Sequence, residues 1–198
     1  LYLESGRGVV FCFDAINGRQ KWSVDLLATF DAENIRWGMS ESLLIDGDNL
    51  ICTPGGPKHN VVALDRFTGT TVWSSPGSGE RAAYCSPILV NHNGRKIIVT
   101  MTTASILGID AISGALLWRV EQRQSNDIHA NTPVYVDGRI LCSSSSAKVD
   151  PFGLVLLELS KDGASVKVLW RNQDYRNLMG GVIAVSYTHL RAHETHID

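Results

Sequence analysis

One short pattern recurs along this chain and constrains its fold more than any other feature. An Asp is followed four residues later by a Gly and, after four more, by a Trp. The copies are Asp14-Gly18-Trp22, Asp65-Gly69-Trp73 and Asp110-Gly114-Trp118, and a looser fourth copy ends at Trp170. Consecutive Trp residues lie about 50 positions apart, a period typical of one supersecondary unit used repeatedly.

Each unit reads as four short strands separated by turn residues. In the second unit the apolar runs are 42–46, 49–53, 60–65 and 70–74, and Asp46-Gly47-Asp48 is a hairpin signal. The third unit has runs at 87–91, 96–101, 106–110 and 115–120, and the fourth at 133–136, 139–143, 154–159 and 166–171. These β-branched runs lack helical periodicity, which argues against a helical solenoid.

Four strands per unit of this length describe one blade of a β-propeller. The sequence therefore predicts an all-β fold, a partial β-propeller of four-stranded antiparallel blades. It contains part of one blade, three complete blades and the start of a fifth. WD-type repeats would show a Gly-His and Trp-Asp pattern and kelch repeats a regular Gly-Gly strand end. The chain has neither pattern.

The repeated pattern has a physical explanation. The Asp side chain can accept hydrogen bonds from amides of the turn that follows it. The Gly supplies the positive φ that a tight hairpin needs. The Trp offers a large surface to wedge between sheets. Two positions before each Asp stands a small residue, Cys12, Ala63 or Gly108, which leaves room for a neighbouring ring.

Composition and charge exclude some classes of function. The chain has 44% hydrophobic and 19% charged residues and a formal net charge of −2. It therefore has no basic footprint for nucleic acid and no polybasic patch for a membrane surface. It also contains no apolar run near the ~18 residues of a transmembrane helix. Because it begins with Leu1 inside a strand-like segment, we interpret it as a fragment whose N-terminus and any export signal lie elsewhere.

The four cysteines, Cys12, Cys52, Cys85 and Cys142, are far apart and include no adjacent pair. They allow three full disulfide pairings, among which sequence cannot choose. We expect buried free thiols in strands, because a free Cys behaves as a small hydrophobe.

The last fourteen residues are predicted to lie outside the fold. Residues 185–195 read VSYTHLRAHET, and His189, His193 and His196 could be taken for a metal site. The stretch instead resembles the in-frame translation of a sequencing adapter, which has no place in fold reasoning. The predicted organisation is a propeller fragment over 1–184 and an artefact tail over 185–198.

The pattern A-x-D-x-x-T-G-K-x-x-W resembles the tryptophan-docking motif of pyrroloquinoline quinone (PQQ) repeat propellers. Here it stands as CFDAINGRQKW, ALDRFTGTTVW and GIDAISGALLW. The resemblance implies a closed ring of seven or eight blades. It also implies that each Trp packs between blades, against the small residue and turn glycine of a neighbouring motif. The fourth copy departs from it, with Leu159 in place of the Asp and a longer turn.

The segments that precede each first strand, called lead-in segments below, would enter the central channel as a funnel. They are 37–42, 82–87, 128–133 and 177–181. Trp37 is the Trp that belongs to no blade end, so it could stack on a planar ligand. Glu41 and Asn131 are residue types that bind calcium or polar groups, and His129 could act as a general base. The full set of candidate ligand-binding residues is Trp37, Ser40, Glu41, Tyr84, Ser86, His129 and Asn131.

Each candidate also has a structural alternative as a packed ring, strand cap or loop hydrogen-bonder. No catalytic residue is singled out, and no metal site is predicted from the residues alone.

Two functional classes follow from the resemblance. In the first, the protein is a scaffold propeller that binds a protein or a small ligand at its funnel, similar to outer-membrane assembly lipoprotein propellers. In the second, it is a PQQ- and calcium-dependent dehydrogenase that oxidises alcohols or sugars. Those enzymes hold the quinone with an adjacent-cysteine disulfide ring, an Arg and a Trp floor, and calcium with Glu and Asn. A sensor or other ligand-binding domain is a further alternative. The resemblance places all of these in the periplasm or otherwise outside the cytoplasm.

Overall fold

Antiparallel sheets make up nearly all of the regular structure. The computed structural model describes residues 1–123, 128–144, 152–175, 177, 179–186 and 189–192, with backbone alone for those after 184. The first blade contributes three strands: β1 (Tyr2–Glu4), β2 (Val9–Phe13) and β3 (Gln20–Asp25). The short helix α1 (Leu26–Phe30) follows and leads toward the second blade.

Three complete four-stranded blades come next, each in simple meander order. Blade 2 comprises β4 (Leu44–Asp46), β5 (Asn49–Cys52), β7 (His59–Asp65) and β8 (Thr71–Pro76), with the two-residue strands β6 (Gly55–Gly56) and β9 (Glu80–Arg81) paired beside it. Blade 3 comprises β10 (Ile88–His92), β11 (Arg95–Met101), β12 (Ser105–Asp110) and β13 (Leu116–Glu121). Blade 4 comprises β14 (Val134–Val136), β15 (Arg139–Ser143), β16 (Leu154–Leu159) and β17 (Val166–Asn172).

The predicted fold class is confirmed. In blades 2 to 4, no strand end differs from the sequence prediction by more than two residues. Helix α1 was not predicted. Its N-cap Asp25 accepts a hydrogen bond from the Ala28 amide at 3.0 Å, and Asp31 ends the helix in the left-handed conformation at φ 54°. Five residues are too few for a helical period to stand out in a sequence.

Hydrophobic cores lie between successive blades. Strand β7 shows how period-2 alternation builds them, because Val62 and Leu64 pack toward blade 1 while Val61 and Ala63 pack toward blade 3. Strand β11 repeats the arrangement, with Ile98 in the blade 2–3 core and its neighbours in the blade 3–4 core. Both faces of these strands are therefore buried, which explains their nearly continuous apolar runs.

The Asp and Gly of the repeated pattern build the turn between the third and fourth strands. In blade 3, Asp110 Oδ1 accepts the amides of Ile112 and Ser113 at 3.2 and 3.0 Å, and the Gly114 amide donates to the Asp110 carbonyl at 2.9 Å. Asp14 and Asp65 accept turn amides in the same way. The three glycines have φ values of 71°, 77° and 74°, which confirms the need for positive φ.

The Trp22 and Trp73 rings each pack on the turn glycine of the next blade. A Cβ built on Gly114 would lie 2.5 Å from Cε3 of Trp73, and one on Gly69 would lie 2.9 Å from Cε3 of Trp22. Trp73 is 9% exposed and Trp118 7%. These contacts support the wedge role at the blade 1–2 and 2–3 junctions.

The small residue before each Asp belongs to the same blade as the ring that covers it, so this part of the expectation was wrong. Gly108 pairs directly across the sheet with Trp118, and a Cβ on Gly108 would overlap the Trp118 ring. Ala63 faces Trp73 and Cys12 faces Trp22 in the same register. Each ring therefore crosses its own neighbouring strand before it reaches the next blade.

The fourth copy differs from the others more than the sequence suggested. Ser160, rather than Leu159, closes its turn, since the Ser160 amide donates to the Ser165 carbonyl as Asp110 does to Ala115. Trp170 faces Leu156, which is a large residue. Trp170 itself is 38% exposed. This hairpin is longer on both strands. The fourth copy therefore does not have the Asp-to-Trp spacing of the other three.

Two further strands, β18 (Val182–Ser186) and β19 (His189–Ala192), form an antiparallel pair at the end of the described chain. The first is the predicted start of a fifth blade. The second falls within the segment predicted to be an artefact, and that domain boundary stays a prediction. His193 and His196 lie outside the described residues.

All four cysteines are buried free thiols, as expected, although Cys85 precedes β10 and is not in a strand. Across the described ranges, no helix is long and apolar enough to span a bilayer.

Trp118→Ala should lower the free energy of unfolding of the full-length protein by about 3–5 kcal/mol, because it empties a buried interface between two blades. Trp37→Ala is the matched control, since the Trp37 ring is 61% exposed. Urea unfolding measures both. Equal stability losses for the two variants would contradict the wedge role.

Gly114→Ala should cost more stability than Gly94→Ala. Both glycines have positive φ, at 74° and 86°, so both variants carry a backbone cost of about 1–2 kcal/mol. Only the Cβ at Gly114 meets a neighbour, the Trp73 ring, which adds about 1–3 kcal/mol of overpacking. Thermal unfolding compares the two, and similar losses would show that the ring can move aside at no cost.

Candidate functional site

The strand register defines which lead-in positions are equivalent. Ile51, Val99 and Leu141 each lie on the second strand, level with the Trp of their own blade. Their partners on the first strands are Leu44, Ile88 and Val134. Three residues before these lie Glu41, Cys85 and Asn131, which therefore occupy the same place in blades 2, 3 and 4.

This register corrects the sequence alignment of the first lead-in segment by one residue. The sequence reading set Ser42 level with Pro87, whereas the structure sets Leu43 there and brings Ser42 level with Ser86. The three equivalent residues, Glu41, Cys85 and Asn131, are all buried, at 8%, 2% and 5% exposure. They form a row of inward positions that the offset alignment had obscured.

Hydrogen bonds join the lead-in segments from blade to blade. The Ser42 amide donates to Ser86 Oγ at 2.8 Å. The Tyr84 hydroxyl accepts the Trp37 amide at 3.1 Å, and the Tyr84 amide donates to the His129 carbonyl at 3.0 Å. Several predicted site residues are thus brought together, as parts of a continuous belt.

Asn131 continues this belt toward the fifth blade. Its side-chain amide donates to the Asn177 carbonyl at 2.8 Å. The Asn177 side chain in turn binds the backbone of Gly180 through both its amide nitrogen and its oxygen, at 2.6 and 2.8 Å. These contacts favour a structural role for Asn131 over a role as a calcium ligand.

Trp37 presents the most open aromatic surface of the belt. Its ring is 61% exposed, with the Tyr84 ring centroid 5.9 Å away at a 47° tilt. The guanidinium of Arg36 lies 5.0 Å from the Trp37 ring centroid, a cation–π contact. Ser40 is also exposed beside it. The ring is therefore available to a partner from outside, and Arg36 lies against it.

His129 is fully buried, and its Nε2 lies 3.3 Å from the Thr103 carbonyl oxygen. A carbonyl accepts only from a protonated nitrogen, so this contact assigns the proton to Nε2. The burial of the ring favours a structural role for His129 over that of a general base.

Glu41 has a binding partner in its own blade and a second carboxylate nearby. Its Oε1 accepts the Thr53 amide at 2.6 Å, while its Oε2 is buried without a hydrogen-bond partner. Burial raises the pKa of Glu41 to about 7, against the lowering effect of the Thr53 hydrogen bond. Burial also raises the pKa of Glu4 to about 9, and the charge of Glu41 adds to that shift.

Sequence reasoning missed Glu4. It ends β1, in the place that Thr53, Met101 and Ser143 occupy in the other blades. The signal was available, because a charged residue stands where the other repeats hold neutral ones. Glu4 lies at the end of a strand, outside the lead-in segments that the sequence marks as candidates for function.

A family model described as outer membrane protein assembly factor BamB matches residues 1–195. The chain belongs to this family. It is a PQQ-like repeat propeller, as the motif predicted. A search of curated proteins found no match.

Two solved structures show the same fold. A quinohemoprotein alcohol dehydrogenase from Comamonas testosteroni is 15% identical over 96% of this chain, with a TM-score of 0.57. A europium-containing methanol dehydrogenase is 12% identical over 88% of it, also with a TM-score of 0.57. The chain spans only 37% and 40% of the lengths of these two proteins.

The described residues of this BamB-family chain do not match the quinone site that the motif resemblance implies. Its four cysteines are buried, apart and free, so they form no adjacent-cysteine ring. Within the described ranges, no three His, Cys, Asp or Glu side chains form a group that could hold a metal ion. Glu41 and Asn131 also stand two blades apart, with Cys85 at the equivalent place between them. No catalytic step through PQQ is derived from these residues.

The free energy of unfolding of the full-length protein should fall as pH rises from about 5 to 9. The pKa values of Glu4 and Glu41 are raised from the ordinary 4.5 to about 9 and 7. In that window the folded state therefore holds more protons than the unfolded state, and stability is lost as pH increases. Glu41→Gln should flatten the fall, because it removes one titrating group and its repulsion of Glu4.

Urea unfolding at pH 5, 7 and 9 measures this dependence. Glu33→Gln is the control, since Glu33 is an exposed carboxylate in the same loop region. A wild-type slope in Glu41→Gln would show that the pair is not the source of the dependence.

Proposed function

We propose that this chain belongs to a propeller scaffold outside the cytoplasm, which binds a protein partner at the face formed by its lead-in segments. The observation that carries the proposal is the exposed Trp37 side chain, held beside Tyr84 on a belt of hydrogen-bonded lead-in segments. Side-chain hydrogen bonds to neighbouring lead-in segments are made by Ser86, Tyr84 and Asn131. A rigid belt with one open aromatic is suited to binding, since Trp is enriched at the energetic centres of interfaces.

The family description supports a protein partner over a small ligand. The matching family is described as an outer membrane protein assembly factor, and an assembly factor works by contact with other proteins. The near-neutral net charge of −2 agrees with a protein surface rather than nucleic acid as the binding target. The proposed periplasmic location is supported by the family description alone.

The dehydrogenase alternative rests on the likeness to two quinoprotein enzymes, and at 15% and 12% identity this likeness extends to the fold only. The scaffold proposal expects no dye reduction when the full-length protein is given PQQ, calcium and a panel of alcohols and sugars. Robust PQQ-dependent turnover in that assay would replace the scaffold reading with the enzymatic one.

Site-specific photo-cross-linking tests the binding face. A photoreactive residue replaces Trp37 or, as the control, Phe67 in the full-length protein in cells. The two side chains are equally exposed, at 61% and 60%. They lie at opposite ends of blade 2, since Trp37 precedes β4 and Phe67 follows β7. We expect a discrete adduct with one protein from position 37 alone; adducts of equal yield from both positions, or none from 37, would contradict the proposal.

A further inference from the structure

Four oxygen atoms without partners are buried where blade 1 meets the lead-in segment of blade 2. Both carboxylate oxygens of Glu4, Oε2 of Glu41 and Oγ1 of Thr53 are inaccessible to solvent and make no hydrogen bond of ordinary geometry, although the Thr53 side chain lies near enough to Glu41 to help lower its pKa. Glu41 and Thr53 are more than nine-tenths buried, at 8% and 2% exposure. The bond from the Thr53 amide to Glu41 Oε1 places these two residues side by side.

The Met39 amide donates to the Gly6 carbonyl at 3.1 Å, which joins the chain that follows Glu4 to the chain that precedes Glu41. The electrostatic effect of Glu41 on Glu4, and of both carboxylates on the thiol of Cys52, agrees with this proximity. Glu4 ends its strand in the position that Thr53 holds in the next blade. Among the described residues, no Lys, Arg or His forms an ion pair with Glu4 or Glu41 that would neutralise them.

Burying two carboxylates without a countercharge is costly, and protein structures resolve that cost by pairing, protonation or metal coordination. Protonation supplies at most one O–H donor for each carboxyl, so it cannot satisfy all four oxygens. A cation satisfies several oxygens at once and removes the repulsion between the carboxylates.

We propose that Glu4, Glu41 and Thr53 form a binding site for a hard divalent cation, for which calcium is the fitting ion. Both oxygens of Glu4, Oε2 of Glu41 and the Thr53 hydroxyl supply oxygen ligands from two blades. Glu41 Oε1 keeps its bond to the Thr53 amide, which orients the carboxylate. Calcium accepts six to eight oxygens in irregular geometry, so waters or main-chain carbonyls complete its shell.

This site differs from the calcium site that the motif resemblance implies. That site combines a Glu with an Asn beside a bound quinone, whereas here two Glu carboxylates and a hydroxyl act without one. Its role is to join blade 1 to blade 2 at the inner edge of the sheets. A cation at this junction is compatible with a scaffold propeller and with an enzyme alike.

Cation binding and protonation compete for the same oxygens, so the cation must expel the protons that the pair retains. Calcium should therefore abolish the loss of stability expected between pH 5 and 9. This gives the site a signature that a nonspecific surface ion cannot reproduce.

The test is thermal unfolding of the full-length protein, stripped with EDTA and then titrated with calcium chloride at pH 8. We expect the wild-type melting temperature to rise by about 3 °C or more at saturation, as for a ligand that binds only the folded state. Glu4→Gln and Glu41→Gln should each lose most of that rise. Glu33→Gln should keep it.

Isothermal titration with calcium provides the second measurement, and it should show one site in the wild type that is lost in Glu4→Gln. If Glu41→Gln does not fold, Thr53→Val tests the same site from its neutral ligand and should weaken binding. A wild-type protein whose melting temperature and titration heat do not respond to calcium would overturn the proposal. So would an unchanged response in Glu4→Gln.

Discussion

The contact of Trp22 and Trp73 with the turn glycine of the following blade is the interaction on which the rest of the structure depends. A single blade has two apolar faces and cannot bury both by itself. The Trp73 ring lies over Gly114, and this stacking brings the facing sheets together so that alternating residues of β7 and β11 enter two different cores. Without Cβ atoms at the glycines, the rings fit at a distance that no other residue would allow.

Because the blades are held in a fixed relation, their inner edges meet at a repeated geometry. Glu41, Cys85 and Asn131 occupy equivalent places, yet their chemistry differs completely. The buried Cys85 thiol donates to the Met101 carbonyl, with 3.8 Å between Sγ and the oxygen. Asn131 joins the next lead-in segment, and Glu41 stays partly unsatisfied. The repeat thus supplies a common position, and substitution at that position gives the blades different chemistry there.

Glu4 and Glu41 show the energetic cost of placing charged residues at such buried positions. Both carboxylates are removed from water, and the pKa of each is raised accordingly. Without a cation, the packing of the rest of the junction between blades 1 and 2 must offset this free-energy cost. A cation between the two would convert the same cost into a stabilising contact between blades, which is why the unpartnered oxygens are informative.

The sequence by itself determined the architecture, because the spacing of Asp, Gly and Trp encodes a local turn and a wedge whose geometry needs little context. It did not determine the fourth copy, where the longer hairpin at Ser160 changed the register, or helix α1, which is too short to show a period. The tertiary structure alone decided which functional candidates meet. Trp37 meets Tyr84, and the chain beside Glu41 meets the chain beside Glu4, across blade boundaries. Such contacts depend on how sheets stack, and residues separated by a blade leave no local pattern from which to infer them.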